Sequence, residues 1–312
     1  MSSWTSQHQT PKFRFGYRQI VPEGTFIEKK MPATVVSAYY EMSSKYKLQE
    51  YRAWIRLFLE STPCYLVFFT EDALVPFIQD CRRHFTDRTH IVTLPREEWN
   101  ANKKYSQAEW DALVSLDPER QFGHTSELYK IWYEKNDFVL LAISLNPFCH
   151  TDFVWTDAGI CRDPKLAALV KEFPVANRIP TDRMMLLNVL PFTPKDELVK
   201  NGFVGGGEDK PRIGGGILAG SINVWSEYHT LYTSTVERFR KAGIFWGKDQ
   251  TVMKTIVMEH KSKVSLIDAK PILSNYWLYS LLYLGASQRV FAILTSEKTN
   301  QQRRDYDYFL AL

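Results

Sequence analysis

The 312-residue chain has only four cysteines, Cys64, Cys81, Cys149 and Cys161, and no two of them are spaced C-x-x-C. That spacing excludes zinc-ribbon and thioredoxin-like motifs. Four cysteines over this length are too sparse for a disulfide scaffold, so they read as buried reduced thiols. No run of about 18 apolar residues occurs, and the longest candidate, Trp277 to Ala286, is too short to predict a transmembrane helix. Residues 1–30 are polar, with no apolar stretch of the kind a signal peptide needs. No N-x-S/T sequon occurs either, which fits a chain that never enters a secretory lumen. A cytoplasmic location is the expectation. An excess of one charge is also missing: 39 basic minus 35 acidic residues leaves +4, with no basic block. Nucleic-acid binders carry a clustered cationic footprint, so no nucleic-acid partner is expected. The histidines form no H-E-x-x-H pair, and no G-x-S-x-G elbow is present, which removes support for a zincin or an α/β-type serine hydrolase.

What the chain has in quantity is aromatic: Trp 9, Tyr 16 and Phe 19, or 14%. Such rings fill cores and also line sites for flat or ring-shaped ligands. At 45% hydrophobic and 24% charged, the rest is an ordinary globular composition. Met1 to Pro32 lacks periodicity and reads as an extended arm. From Ala33 onward, short β-branched or apolar runs alternate with helical spacing. Ala33–Ala38, Tyr65–Phe69, His90–Leu94, Asp152–Thr156, Met184–Leu190 and Val264–Ile267 read as strands. Leu48–Leu59, Ala73–His84, Ser126–Leu145, Ser221–Ala242 and Asp249–Met258 read as helices. Strand–helix alternation implies an α/β domain with a mainly parallel, Rossmann-like central sheet flanked by helices. Residues 33–312 are expected to form that one domain.

In open α/β sheets ligands bind at the carboxyl ends of strands. This points to Ser37, Tyr39 and Tyr40 after the first strand, and to Asp157, Ala158 and Gly159 after the fourth. Asp157 is an oxygen donor of the hard type that magnesium or manganese prefers, or a residue that simply closes a turn. Gly205–Gly207 and Gly214–Gly216 form two glycine runs. Gly214 to Ala219 matches G-x-G-x-x-A, but no strand is expected before it, so a dinucleotide site has little support. The run reads as a close approach to a ligand or as a structural turn. Asp249 and Gln250 open a helix, either as a cap or as a carboxylate and amide at a reaction centre.

Five segments occur in a fixed order: Val35–Glu41, His124–Trp132, Val154–Gly159, Ile213–Ser221 and Gly247–Gln250. Together they resemble the HtrL/YibB (WlaTC-like) family, associated with bacterial surface polysaccharide loci, over about Ala33 to Gly285. That family in turn resembles nucleotide-sugar glycosyltransferases of the GT-A fold. The resemblance implies a glycosyltransferase for a nucleotide-diphosphate donor, such as a UDP- or GDP-sugar, and a glycan or other acceptor. It implies a divalent metal, manganese or magnesium, on a D-x-D motif. Here Trp155 stands where the first acid belongs, and only Asp157 remains. The Asp249–Gln250 pair is similar to that of retaining enzymes. Ser37, Tyr39, Tyr40, Lys130, Trp155, Ala158, Gly159 and Arg162 become donor contacts beside Asp157. Gly214, Gly215 and Gly216 become contacts for the donor sugar or acceptor, and Trp225 and Trp246, which flank the glycine and Asp–Gln segments, are expected as a platform for an acceptor sugar. The alternative is a catalytically inactive GT-A-like interaction protein, which the incomplete acidic motif would suit.

Overall fold

The computed structural model describes residues 30–43, 46–200, 202–204, 211–270, 273 and 275–296. The expected arm at 1–32 falls almost wholly outside them, as does Gly205–Gly207. The chain order is β1 (Thr34–Ala38), α1 (Leu48–Ser61), β2 (Tyr65–Thr70), α2 (Val75–Cys81), β3 (Thr89–Thr93), α3 (Asn100–Lys104), α4 (Gln107–Leu116) and α5 (Ser126–Leu145). It continues with β4 (Asp152–Thr156), α6 (Pro164–Leu169), β5 (Met184–Asn188), β6 (Val199–Lys200), β7 (Phe203–Val204) and β8 (Ile213–Ser221). The last elements are α7 (Ile222–Lys241), α8 (Asp249–Glu259), β9 (Val264–Asp268), α9 (Tyr279–Gly285) and α10 (Gln288–Thr295).

Seven strands form one sheet in the order β3-β2-β1-β4-β8-β5-β9. All its pairings are parallel except those of β8, which runs against both β4 and β5. The sheet is therefore mostly parallel, as the alternation of elements predicts. Period-2 alternation divides each central strand between two cores. Val154 of β4 joins the side packed by α1, α2, α6, α9 and α10. Phe153 and Trp155 join the opposite side, packed by α3, α4, α5, α7 and α8. Both faces of β1, β2 and β4 are buried, which is why these strands read as near-continuous apolar runs.

Two departures from the sequence reading affect the site. Gly214–Gly216 belongs to a nine-residue strand, β8, and not to a loop. Its partners β4 and β5 override the low strand propensity of glycine. The strand is also irregular. Its register with β5 shifts between Leu186, which faces Leu218, and Leu187, which faces Gly214. Gly215, Gly216 and Ile217 bulge out of that ladder, the kind of place where glycine recurs in strands. The second lies between β3 and α5, a stretch to which the sequence reading assigns no element and which holds the two helices α3 and α4.

Candidate functional site

Beyond the carboxyl end of β4 the chain turns at Asp157, whose backbone N–H donates to Gly216 O at 2.8 Å. Because β8 runs antiparallel, its first residues overhang this end of β4, opposite Asp157. The bulge leaves the Gly215 carbonyl free of the β5 ladder, and it accepts instead from Lys135 Nζ at 2.8 Å. Lys135 also donates to Asp249 Oδ2 at 2.7 Å and lies 3.1 Å from Asp157 Oδ1. Three elements thus deliver oxygens to one ammonium: the β4 turn, the β8 bulge and the start of α8.

The two carboxylates differ. Asp249 is 3% exposed, and its Oδ1 accepts from the Gln250 backbone N–H at 2.8 Å, so both of its oxygens are engaged. Asp157 keeps a side-chain exposure of 41%. Its Oδ1 accepts from Lys135 and from the Trp155 indole N–H at 2.9 Å, while Oδ2 lies 3.7 Å from where a β-carbon on Gly216 would stand. The exposed face of Asp157 is therefore the open door of the cluster. Burial alone would lower Lys135, but Asp157 and Asp249 outweigh it and hold the ammonium above its ordinary value. Asp157 moves upward, first through the crowding protein and then through the nearby Asp249 charge, against the pull of Lys135. Two carboxylates and one ammonium leave a net charge of −1.

Gly215 is required by this geometry. A β-carbon there would stand 2.6 Å from Asp249 Oδ2 and 3.1 Å from its Cγ. Gly215→Ala is expected to push Asp249 away from Lys135. It should cost about 1–3 kcal/mol of stability through overpacking and lower whatever activity the site supports. Denaturant unfolding of the two proteins measures the first effect, and an unchanged midpoint would contradict the close approach.

The other expected site residues divide sharply. Gln250 is half-buried at the start of α8, and its amide makes no hydrogen bond among the described residues. Ala158 and Gly159 form the turn after Asp157, where Ile160 N–H donates to Asp157 O at 3.0 Å. Arg162 is exposed, donates to Gly159 O at 3.1 Å, and lies over Trp54 at 4.3 Å and Tyr46 at 5.2 Å. It is the exposed cation nearest in sequence to this turn. Lys130 is not brought to the cluster. Its ammonium is held by Gln107 at 2.5 Å and Glu127 at 2.7 Å, and it stands about 7.5 Å from Lys135 along the α5 axis.

The aromatic expectations need correction. Trp225 is fully buried and donates to Phe153 O at 2.9 Å. Trp246 packs against Tyr105 and Trp110, with ring centroids at 4.7 and 4.6 Å. Neither presents a face to an acceptor sugar. Tyr40 is buried, donates to Leu94 O at 2.9 Å and meets Trp99 edge-on. Tyr39 is buried too, and that burial, with Glu41, pushes its hydroxyl up to about 12. Neither tyrosine ring lies open as a platform for a base. Trp155 stacks on Phe138, and it meets the site through its N–H and through its ring, which lies 6.0 Å from Lys135 Nζ. Ser37 is buried and donates to Thr156 O at 2.6 Å, tying β1 to β4. The physical reason is burial: Ser37, Trp155 and Trp225 lie on covered strand and helix faces, and Tyr39, Tyr40 and Trp246 lie in connections that the neighbouring layers cover.

A divalent metal is what the GT-A resemblance implies, and the donor set present does not build a site for it. Among the described residues no group of three or more His, Cys, Asp and Glu side chains converges. Trp155 replaces an acid with an N–H donor, and the ammonium of Lys135 already lies between the two carboxylates.

No family model matches the sequence, and no curated protein matches it. Among solved structures, the chain is similar to mouse xyloside xylosyltransferase 1 in its apo form. The identity is 13%, the coverage 79% of this chain and 89% of that one, and the TM-score 0.41. A likeness this distant says nothing about the chemistry of the site. Among the described residues no helix is long and apolar enough to cross a membrane.

Proposed function

We propose that the chain is a glycosyltransferase that moves a sugar from a nucleotide-diphosphate donor to a glycan or other acceptor. One observation carries the reading: Asp157 and Asp249, far apart in the chain, meet across Gly215 at the carboxyl edge of a mostly parallel sheet. The ordered motifs that resemble the HtrL/YibB family support the same reading.

In this reading the donor lies over the Asp157–Gly159 turn. The open Oδ2 of Asp157 accepts hydrogen bonds from sugar hydroxyls. Arg162, two residues past Ile160, offers a cation to the diphosphate, whose negative charge grows as it leaves. The bond between the anomeric carbon and the diphosphate breaks, the acceptor oxygen bonds to that carbon, and the acceptor's proton passes to the departing phosphate. Asp249 contributes fixed negative charge on the side where the sugar becomes electron-poor, and the Gln250 amide is available to orient a hydroxyl.

Thermal unfolding across a panel of UDP- and GDP-sugars, with NAD(P) as control, tests this. The cognate donor should raise apparent stability by about 2.7 kcal/mol at a hundredfold excess over Kd. Asp157→Ala should stay folded, lose most of that gain, and release nucleoside diphosphate about 100-fold more slowly. Stabilisation by no nucleotide sugar would sink the proposal and favour an inactive interaction protein.

A further inference from the structure

A side chain of the protein, Lys135, bridges Asp157 and Asp249. Lys135 Nζ has three N–H groups and three oxygens around it, from Gly215, Asp249 and Asp157, at 2.8, 2.7 and 3.1 Å. Its donor capacity is filled. These separations suit an ammonium, whereas magnesium draws its oxygens in to about 2.0–2.1 Å. The side chain is 5% exposed, so the ammonium is held from below and does not reach the open face of Asp157. Trp155 supplies a second and independent observation. It occupies the position where a metal-binding acid is expected, and its indole N–H donates to the very oxygen, Asp157 Oδ1, that Lys135 approaches. A donor there repels a cation and favours a carboxylate already satisfied from within the protein.

We infer that Lys135 occupies the place of a divalent cation between Asp157 and Asp249, and that donor binding and transfer proceed without added metal. Lys135 is a positioning residue. It fixes both carboxylates and the Gly215 carbonyl in one cluster and cancels half of the carboxylate charge. The second half of the inference rests on the transferase reading.

The test uses the full chain and free Mn²⁺ as the probe, followed by electron paramagnetic resonance and by thermal unfolding. Wild-type protein should neither bind Mn²⁺ at this site nor gain thermal stability from it. Its donor-induced stabilisation and turnover should be unchanged in EDTA. Lys135→Ala opens the space between two carboxylates and should gain Mn²⁺ affinity by about tenfold or more. A merely structural lysine would give no such gain. Lys135→Met, which keeps the stem, serves if the alanine variant does not fold. Mn²⁺ binding by the wild type, loss of donor stabilisation in EDTA, or no gained affinity in either variant would each overturn the inference. Failure of every nucleotide sugar to bind would remove the transferase reading, while the Mn²⁺ comparison would still decide what Lys135 replaces.

Discussion

Asp249→Asn is expected to fold and to turn over donor about 10³-fold more slowly than the wild type. Asparagine keeps the volume, and its side-chain oxygen can still accept the Gln250 N–H that Asp249 accepts at 2.8 Å. What it removes is the negative charge 2.7 Å from Lys135. Stripping a buried ion of its partner costs about 3–5 kcal/mol when nothing else compensates. Here Lys135 retains Asp157 at 3.1 Å and the Gly215 carbonyl at 2.8 Å. The loss should therefore fall below that range. The pH dependence has a definite sign. Lys135 is held above its unfolded value of 10.5, so its contribution is complete below that pH and fades as pH rises through the folded value. The stability gap between wild type and Asp249→Asn should be full near neutrality and close in strong alkali. Steady-state kinetics with the cognate donor and urea unfolding at several pH values measure both effects. Turnover near that of the wild type would remove Asp249 from the reaction.

The sheet was legible because its strands announce themselves. Buried runs such as Val35–Ala38 and Phe153–Thr156 are short and apolar, and each is bounded by turns or charge. The 20-residue α5 was legible for the opposite reason, a long period-3.6 pattern over Ser126–Leu145. Strand β8 was hidden because consecutive glycines read as a breaker. Only its neighbours, β4 and β5, make it a strand, and no local signal carries that information. Asp157 and Asp249 were legible through the order of motifs, but Lys135 was not. A signal for it existed: Glu134, Lys135, Asn136 and Asp137 are consecutive in one helix. At about 100° per residue, four such positions sweep most of the helix circumference, so they cannot all face water. In the structure Glu134, Lys135 and Asn136 are buried. Glu134 accepts the Asn100 and Ala101 N–H groups at 2.9 Å and so fixes the start of α3, while Lys135 points to the site. The aromatic residues misled in the other direction. Strand-end position made Trp155, Tyr39 and Tyr40 look accessible, although the layers above them close over the rings.

Asp196→Ala is expected to be the most destabilising single change near this site, by about 3–5 kcal/mol. Asp196 is fully buried and joins two cations: Arg212 NH2 at 2.9 Å from Oδ2 and Lys254 Nζ at 2.7 Å from Oδ1. The Thr193 N–H and hydroxyl donate to its Oδ2 at 2.7 and 2.9 Å. Arg212 immediately precedes β8, and Lys254 lies on α8, so this carboxylate ties together the elements that carry Gly215 and Asp249. Alanine would take from Arg212 and Lys254 the buried carboxylate that accepts from both of them. Burial alone would raise Asp196, but the Lys254 ammonium, the Thr193 N–H, Arg212 and the Thr193 hydroxyl together hold it well below the usual carboxylate range. Its folded value is thus depressed below the unfolded 3.8. The stability it supplies is complete above that pH and disappears as pH falls through the folded value. Wild type and Asp196→Ala should differ most near neutral pH and converge in strong acid. Asp196→Asn, which keeps the acceptor oxygen, should fall between them. Equilibrium urea unfolding at pH 7 decides the matter, and a loss of less than about 1 kcal/mol for the alanine variant would show that Arg212 and Lys254 do not depend on this carboxylate. If the loss is as large as expected, donor turnover should fall with it even at temperatures where the variant stays folded. The Lys135 cluster takes the Gly215 carbonyl from β8 and the Asp249 carboxylate from α8, and Asp196 ties those two elements together through Arg212 and Lys254.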